Sequence, residues 1–453
     1  MKFKISLAIM MVVALLNCNN IGKENYATPP RNKNVPLLTI KTDGKIRDEP
    51  KTNGKLEIWV NDSLVVNSKI GIELRGAVSQ MMYEKKSYGL ELRNDSKKSQ
   101  EVSLLDLPAN SDWVLHGPYG DKTLLRNAVA YKISNRIGRY APRTKFVEVE
   151  INDNFLGMYV LMEKLKRDES RINIAKLTKK DSTDDKITGG YIIKIDKTVG
   201  DGDGDRDYNE NNSFRSQIDQ NGKVSRKSKT FFVYDYPKAD DITPIQKNYI
   251  QKYINDFENA LASSDYKDPQ KGYRNFIEVS SFIDFFILTE LFQNHDGYRL
   301  STYLQKDRNR KLAMGPIWDF DIAFGSDNGF CDGMNRHAWV FEYNKYCGSD
   351  AWLVPFWWKK LISDDDFKTE LKERWGSLRK SQLSDNQLDK VIEDYNKYIT
   401  ENGLVARNFD RWDILDERIT PNSTRGSHEK EIKRMKSWLK EHAHWIDENI
   451  EKL

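Results

Sequence analysis

The chain has 453 residues, 38% of them hydrophobic and 11% aromatic, enough to bury a sizeable core in one large bilobal domain or in two to three modules. Its 72 basic and 68 acidic residues nearly cancel to a net charge of +4, which argues against nucleic acid as a partner, and no zinc-finger or other nucleic-acid signature is present. Six scattered histidines and the lack of a CxxC pair give no sign of a zinc site.

At the start of the chain Lys2 and Lys4 precede a twelve-residue apolar run, 5–16, which is too short for a stable membrane anchor and predicts an export signal over 1–18. Leu15-Leu16-Asn17-Cys18 resembles a bacterial lipobox, so Cys18 is expected to carry lipid and to tie the mature chain to a membrane, with ordinary secretion as the alternative. Residues 19–35 are polar and unpatterned, as a flexible tether is. In an oxidising compartment Cys331 and Cys347 are expected to pair, closing a loop worth roughly 3 kcal/mol of chain entropy.

Residues 36–230 read as a sheet-rich N-terminal lobe. LEIWVNDSLVV and IGIELRG alternate and turn at Asn-Asp and Asn-Ser pairs, residues 123–137 have helical spacing, and 144–163 form two strands joined at Asn152-Asp153-Asn154. The stretch 200–228 is an acidic insertion. Its DGDGDRDYNENN segment fails the calcium-loop template, because Arg206 stands at the required glycine and Asn212 at the bidentate glutamate. From 231 to 453 amphipathic helices dominate, at 244–262, 279–293, 365–378, 384–402 and 427–450, and the many tryptophans read as helix-packing anchors.

The chemistry is concentrated in residues 283–325. A helical apolar segment ends in Gln293-Asn294-His295-Asp296, two extended runs meet at the turn-like 306–310, and the second run ends in Trp318-Asp319-Phe320-Asp321. Alternation predicts both aspartates on one face and both aromatics on the other. A loop aspartate, a hairpin, and a second aspartate twenty-three residues later is the order protein kinases use to orient a hydroxyl and to hold Mg²⁺ on the phosphates.

These motifs resemble the CotH kinase family of spore coat protein H-like atypical kinases. Asn294-His295-Asp296, Ser301-Thr302-Tyr303-Leu304 and Trp318 through Gly325 look like its N-x-D, strand and W-D-x-D…F-G elements. Upstream, Ile72-Glu73-Leu74-Arg75-Gly76 with Lys85-Lys86-Ser87-Tyr88, Asp112-Trp113-Val114-Leu115 with Asp121 and Leu125-Arg126-Asn127, and Leu156 through Glu163 match further blocks in the family's order.

The resemblance implies an α+β, bilobal, atypical kinase-like fold and transfer of the ATP γ-phosphate, with Mg²⁺ or Mn²⁺, to Ser/Thr of a surface or secreted protein. It puts Asp296 in the catalytic role, Asp319, Asp321 and Ser301 on the metal, and Arg75, Lys85, Lys86, Glu163 and Arg126 around the nucleotide. Alternation allows only one of Lys85 and Lys86 into the cleft, Glu163 would pair with that lysine or face the metal, and Arg126 would reach phosphate or join Asp121. Ser301 departs from the asparagine the family often has there. The alternatives are a non-catalytic surface scaffold and a kinase acting on a glycan hydroxyl; oligomeric state is not legible.

Overall fold

The computed structural model describes residues 26–30, 32–198, 208–326, 337–419, 422 and 424–453. The export signal, Cys18, the acidic core of the insertion at 199–207 and Cys331 lie outside these residues, and Cys347, the expected partner of Cys331, is buried. Among the described residues no helix is long and apolar enough to cross a membrane.

Strands β1 (Leu37–Thr42), β2 (Thr52–Val60), β3 (Ser63–Arg75), β4 (Ser87–Arg93), β5 (Asp112–His116), β6 (Thr144–Ile151) and β7 (Asn154–Glu163) form a closed barrel in the order β1-β2-β3-β4-β5-β7-β6. Parallel pairing of β1 with β6 closes it. Alternating apolar residues explain the closure: Leu56 and Ile58, Ile70 and Ile72, and Leu90 and Leu92 point inward and are almost wholly buried. The Asn61-Asp62 and Asn152-Asp153 turns have positive φ at both residues, the geometry that two-residue hairpins need and that Asn and Asp tolerate. The sheet-rich half that the alternation suggested is thus a closed barrel. Two helices interrupt it, α1 (Val78–Met82) and α2 (Arg126–Arg136).

A second sheet has the order β12-β11-β8-β10-β9, built from β8 (Tyr191–Ile195), β9 (Ser213–Arg215), β10 (Phe231–Tyr236), β11 (Thr302–Lys306) and β12 (Leu312–Met314). The expected 230/231 division between lobes runs through this sheet, whose strands come from both sides of it. The hairpin anticipated after Asp296 is β11–β12, with Lys306 opposite Leu312. The described rear of the insertion is ordered into this sheet, β9 pairing with β10 and Tyr208 stacking on Phe231 at 3.9 Å.

The C-terminal half is helical: α3 (Pro244–Ala262), α4 (Val279–Phe292), α5 (Tyr343–Tyr346), α6 (Trp357–Ile362), α7 (Asp365–Arg379), α8 (Asp385–Glu401), α9 (Leu404–Arg411) and α10 (His428–Asn449). Thr243 and Gln246 form a capping box that starts α3, with Pro244 in its first turn. Every residue of α4 from Ser281 to Phe292 is buried, as a helix that is apolar on all sides must be. Phe282, Phe285, Phe286 and Tyr298 cluster around Trp358, so the tryptophan-rich segment packs helices.

The described part of the expected tether is fixed to the protein. The Tyr26 hydroxyl donates to Asp410 (2.6 Å), its carbonyl accepts from the Phe155 N–H (2.8 Å), and Asn32 donates to Asn402 (2.6 Å).

Candidate active site

Helix α4 delivers the first aspartate. It stops at Gln293, whose left-handed backbone (φ 47°) turns the chain, and the Asn294 side chain then ties two segments together. The Asn294 amide donates to the Asp319 carbonyl (3.2 Å) and its oxygen accepts from the Asp296 N–H (3.3 Å). Asp296 is partly exposed, and the buried Arg299 one turn later holds its carboxylate at 2.7 Å. Arg299 also reaches Asp350 (3.4 Å) and stacks over the Tyr343 ring at 4.2 Å.

The second pair of aspartates does not sit on a strand, contrary to the alternation argument. Ladder pairing ends at Met314, and Gly315-Pro316 follows, where proline has no N–H to donate. Asp319 instead has a left-handed backbone (φ 63°), held by α2. Its N–H donates to the Tyr131 hydroxyl (3.1 Å), and the Phe320 N–H donates to the Asn127 side chain (2.7 Å). Phe320 packs in the core as expected, but Trp318 turns toward the cleft and stacks on Tyr131, with ring centres 6.1 Å apart.

Asp319 and Asp321 both line the cleft, and the Ser301 hydroxyl donates to Asp319 at 3.3 Å. Burial pushes the Asp319 carboxyl well up, and the charges of Asp321 and Asp296 add to the shift. Asp321 is likewise raised by burial, then by Asp121 and Asp296, with Arg126 opposing. Two close carboxyls that resist ionising together are the arrangement a divalent cation relieves.

Asp296, Ser301, Asp319 and Asp321 line one cleft of about 320 Å³. Arg75 lines it too, its guanidinium 5.9 Å over the Trp318 ring. The other predicted nucleotide residues do not. Lys85 is buried behind the cleft, donating to the Met158 carbonyl (2.5 Å) and Asn408 (2.7 Å), and burial holds its ammonium well below the usual lysine range. Lys86 closes the end of α1 by donating to the Gln80 carbonyl (2.6 Å) and the Tyr83 carbonyl. Glu163 is fully buried against Arg143 (2.7 Å), so neither the lysine nor the metal is its partner. Arg126 is buried and bonds Asp121, the structural option of the two weighed for it. In each case partners elsewhere take up the charge, which sequence spacing does not report.

Sequence reasoning missed several cleft residues: His116, Asn127, Lys197, Arg299 and Trp352. The Asn127 amide sits 3.3 Å from His116 Nε2, and burial lowers the His116 imidazole to about 4, so it is neutral near pH 7 and Nε2 accepts. Arg299 had a signal, one helical turn after Asp296; Lys197, two residues past the end of β8, had none.

Among the described residues no group of three or more His, Cys, Asp or Glu is gathered tightly enough to hold a metal by itself. The donor set here is two carboxylates and a hydroxyl. That suits Mg²⁺, which keeps several waters and binds through one or two carboxylates plus substrate phosphates rather than in an all-protein cage.

A mixed α+β scaffold presses a carboxylate pair and a separate, arginine-held aspartate into one cleft, an arrangement compatible with metal-assisted phosphoryl transfer. The family model described as CotH kinase protein matches residues 72–446, and the chain belongs to that family of atypical kinases. No curated protein matches the chain.

Proposed function

We propose that the protein is an exported kinase, anchored by lipid on Cys18, that moves the ATP γ-phosphate to Ser/Thr hydroxyls of a surface or secreted protein. The observation that carries this is the convergence of Asp296, Asp319, Asp321 and Ser301 in a cleft that also holds Arg75. Asp319 and Asp321, with Ser301 beside them, would hold Mg²⁺, which supplies charge neutralisation on the phosphates when bound. Asp296 orients the acceptor hydroxyl and accepts its proton. The hydroxyl oxygen then bonds to the γ-phosphorus as the bond to the β–γ bridging oxygen breaks, and that electron pair leaves with ADP. Arg299 holds the Asp296 carboxylate in place. Trp318 and Arg75 form the barrel-side wall available to the nucleotide.

Incubating the purified chain with γ-labelled ATP, Mg²⁺ and a casein-like protein or a cell-wall glycan tests the reading. Label should pass to protein, and Asp319→Ala should abolish it together with metal-dependent nucleotide binding. Asp296→Ala should still bind nucleotide while turnover falls by roughly 10²- to 10⁴-fold. Label transfer that survives Asp319→Ala would remove the assignment. Metal-dependent ATP binding without transfer would make the protein a scaffold, and transfer to glycan alone would change the acceptor.

A further inference from the structure

We propose that Lys197, just beyond β8, is the cation that grips the γ-phosphate of the bound nucleotide. This rests on the kinase reading above and names the group that takes the part expected of Lys85 or Lys86.

The need is chemical: an in-line transfer spreads charge over the γ-phosphate oxygens, and a kinase site stabilises it with a cation as well as the metal. The Lys85-Lys86 pair does not supply one, since Lys85 is buried on Met158 and Asn408 and Lys86 is tied to the carbonyls of Gln80 and Tyr83. Of the cations that line the cleft, Arg299 is committed to Asp296 and Asp350, and Arg75 stands at the Trp318 wall. Among the described residues Lys197 is the remaining cation of that lining.

Its placement fits. Strands β8 and β11 run antiparallel and their ladder ends with Ile195 opposite Thr302, so Lys197 leaves β8 at the end of the sheet where Ser301 enters β11. Ser301 is the residue whose hydroxyl meets Asp319. A lysine side chain starting there has the reach to serve a phosphate held by the aspartate pair.

Its present contact is one it can give up. The Lys197 ammonium lies 4.8 Å from the centre of the Trp352 ring, and among the described residues it forms no ion pair. The indole is well fixed, with its N–H donating to the Tyr208 hydroxyl (2.8 Å) and its backbone N–H to Asp350 (3.0 Å). A cation–π contact at a partly exposed site is weaker than a charge-assisted hydrogen bond to phosphate oxygen. Trp352 therefore acts as a resting place that keeps the ammonium in the cleft and away from Asp196 and Asp350.

The test compares Mg·ATP with Mg·ADP binding by calorimetry, using the full purified chain and its Lys197→Met, Lys197→Gln and Lys197→Arg variants. Losing a γ-phosphate contact should weaken Mg·ATP by roughly 10- to 100-fold in the first two variants and leave Mg·ADP within about twofold, with arginine restoring part of the difference. Intact ADP binding doubles as the proof of folding, and two neutral variants guard against one that misfolds. An unchanged ATP-to-ADP affinity ratio in both overturns the proposal. A raised KM for the protein acceptor at unchanged ATP affinity also overturns it and moves Lys197 to the acceptor side. Failure of the kinase reading looks different: the wild-type chain would then bind neither nucleotide, or bind Mg·ATP without transferring label.

Discussion

Glu258 on α3 shows how a single buried group makes stability depend on pH. It is almost wholly enclosed, accepting from the Trp357 indole N–H (2.9 Å) and the Ser216 hydroxyl (2.8 Å), and burial pushes its carboxyl up to about 7 from 4.5 despite those bonds. Between these values the folded state binds the proton that the unfolded state has released, so stability falls as pH rises and levels off above 7. The loss is about 3 kcal/mol at the plateau. Glu258→Gln keeps the shape, its oxygen accepting from Trp357 and its amide donating to Ser216. The variant should match wild type in thermal unfolding at pH 4.5 and exceed it at pH 8, and an equal midpoint at pH 8 would show that the carboxyl ionises without penalty. Nothing in the sequence marks Glu258, which sits within an amphipathic helix like any other glutamate. The aspartates of the cleft were legible for the opposite reason: Asp296, Asp319 and Asp321 lie in one short tract around a hairpin, so their proximity is set locally.

At the scale of elements, α2 acts as a splint for the metal-side loop. Asn127 and Tyr131 are four residues apart, hence on one helix face, and their side chains accept from the consecutive N–H groups of Phe320 and Asp319. These bonds hold Asp319 in a left-handed conformation that a non-glycine residue adopts only when its surroundings insist. Tyr131→Phe keeps the stacking on Trp318 but strands the Asp319 N–H, a cost of about 1–3 kcal/mol. The Mg²⁺ concentration needed for half-maximal nucleotide binding should rise several-fold, with affinity at saturating Mg²⁺ nearly unchanged. An unaltered Mg²⁺ requirement would show that the loop keeps its shape without α2. The hairpin turns at Asn61-Asp62 and Asn152-Asp153 were readable because adjacent residues dictate them. The loop at Trp318 was not, because period-two alternation continues in the sequence past Gly315-Pro316 where the ladder has stopped.

At the scale of the whole molecule, the lysines expected at the phosphates separate two uses of a charge. Helix α9 lies along β7 and joins the barrel to the helical half. Arg407 pairs with the buried Glu148 (2.6 Å), Arg411 donates to the Phe155 carbonyl (3.0 Å), and the Trp412 indole donates to the Leu156 carbonyl (2.9 Å). Gly157 lets them approach this closely: its φ is +80°, and a Cβ there would meet Asn408 Oδ1 at 2.9 Å. Lys85 completes the seam from the barrel side by bonding both β7 at Met158 and α9 at Asn408. Sequence alternation could say that Lys85 and Lys86 face opposite ways, but not that the inward face meets another helix instead of the cleft, because that depends on how a segment more than three hundred residues later folds back. Lys85→Met should therefore cost about 1–3 kcal/mol in urea unfolding, since it leaves the Met158 carbonyl and the Asn408 side chain without their donor, while Mg·ADP affinity stays at the wild-type value. The reverse pattern, nucleotide affinity lost with stability intact, would return Lys85 to the phosphates and require the barrel and α9 to part there when nucleotide binds.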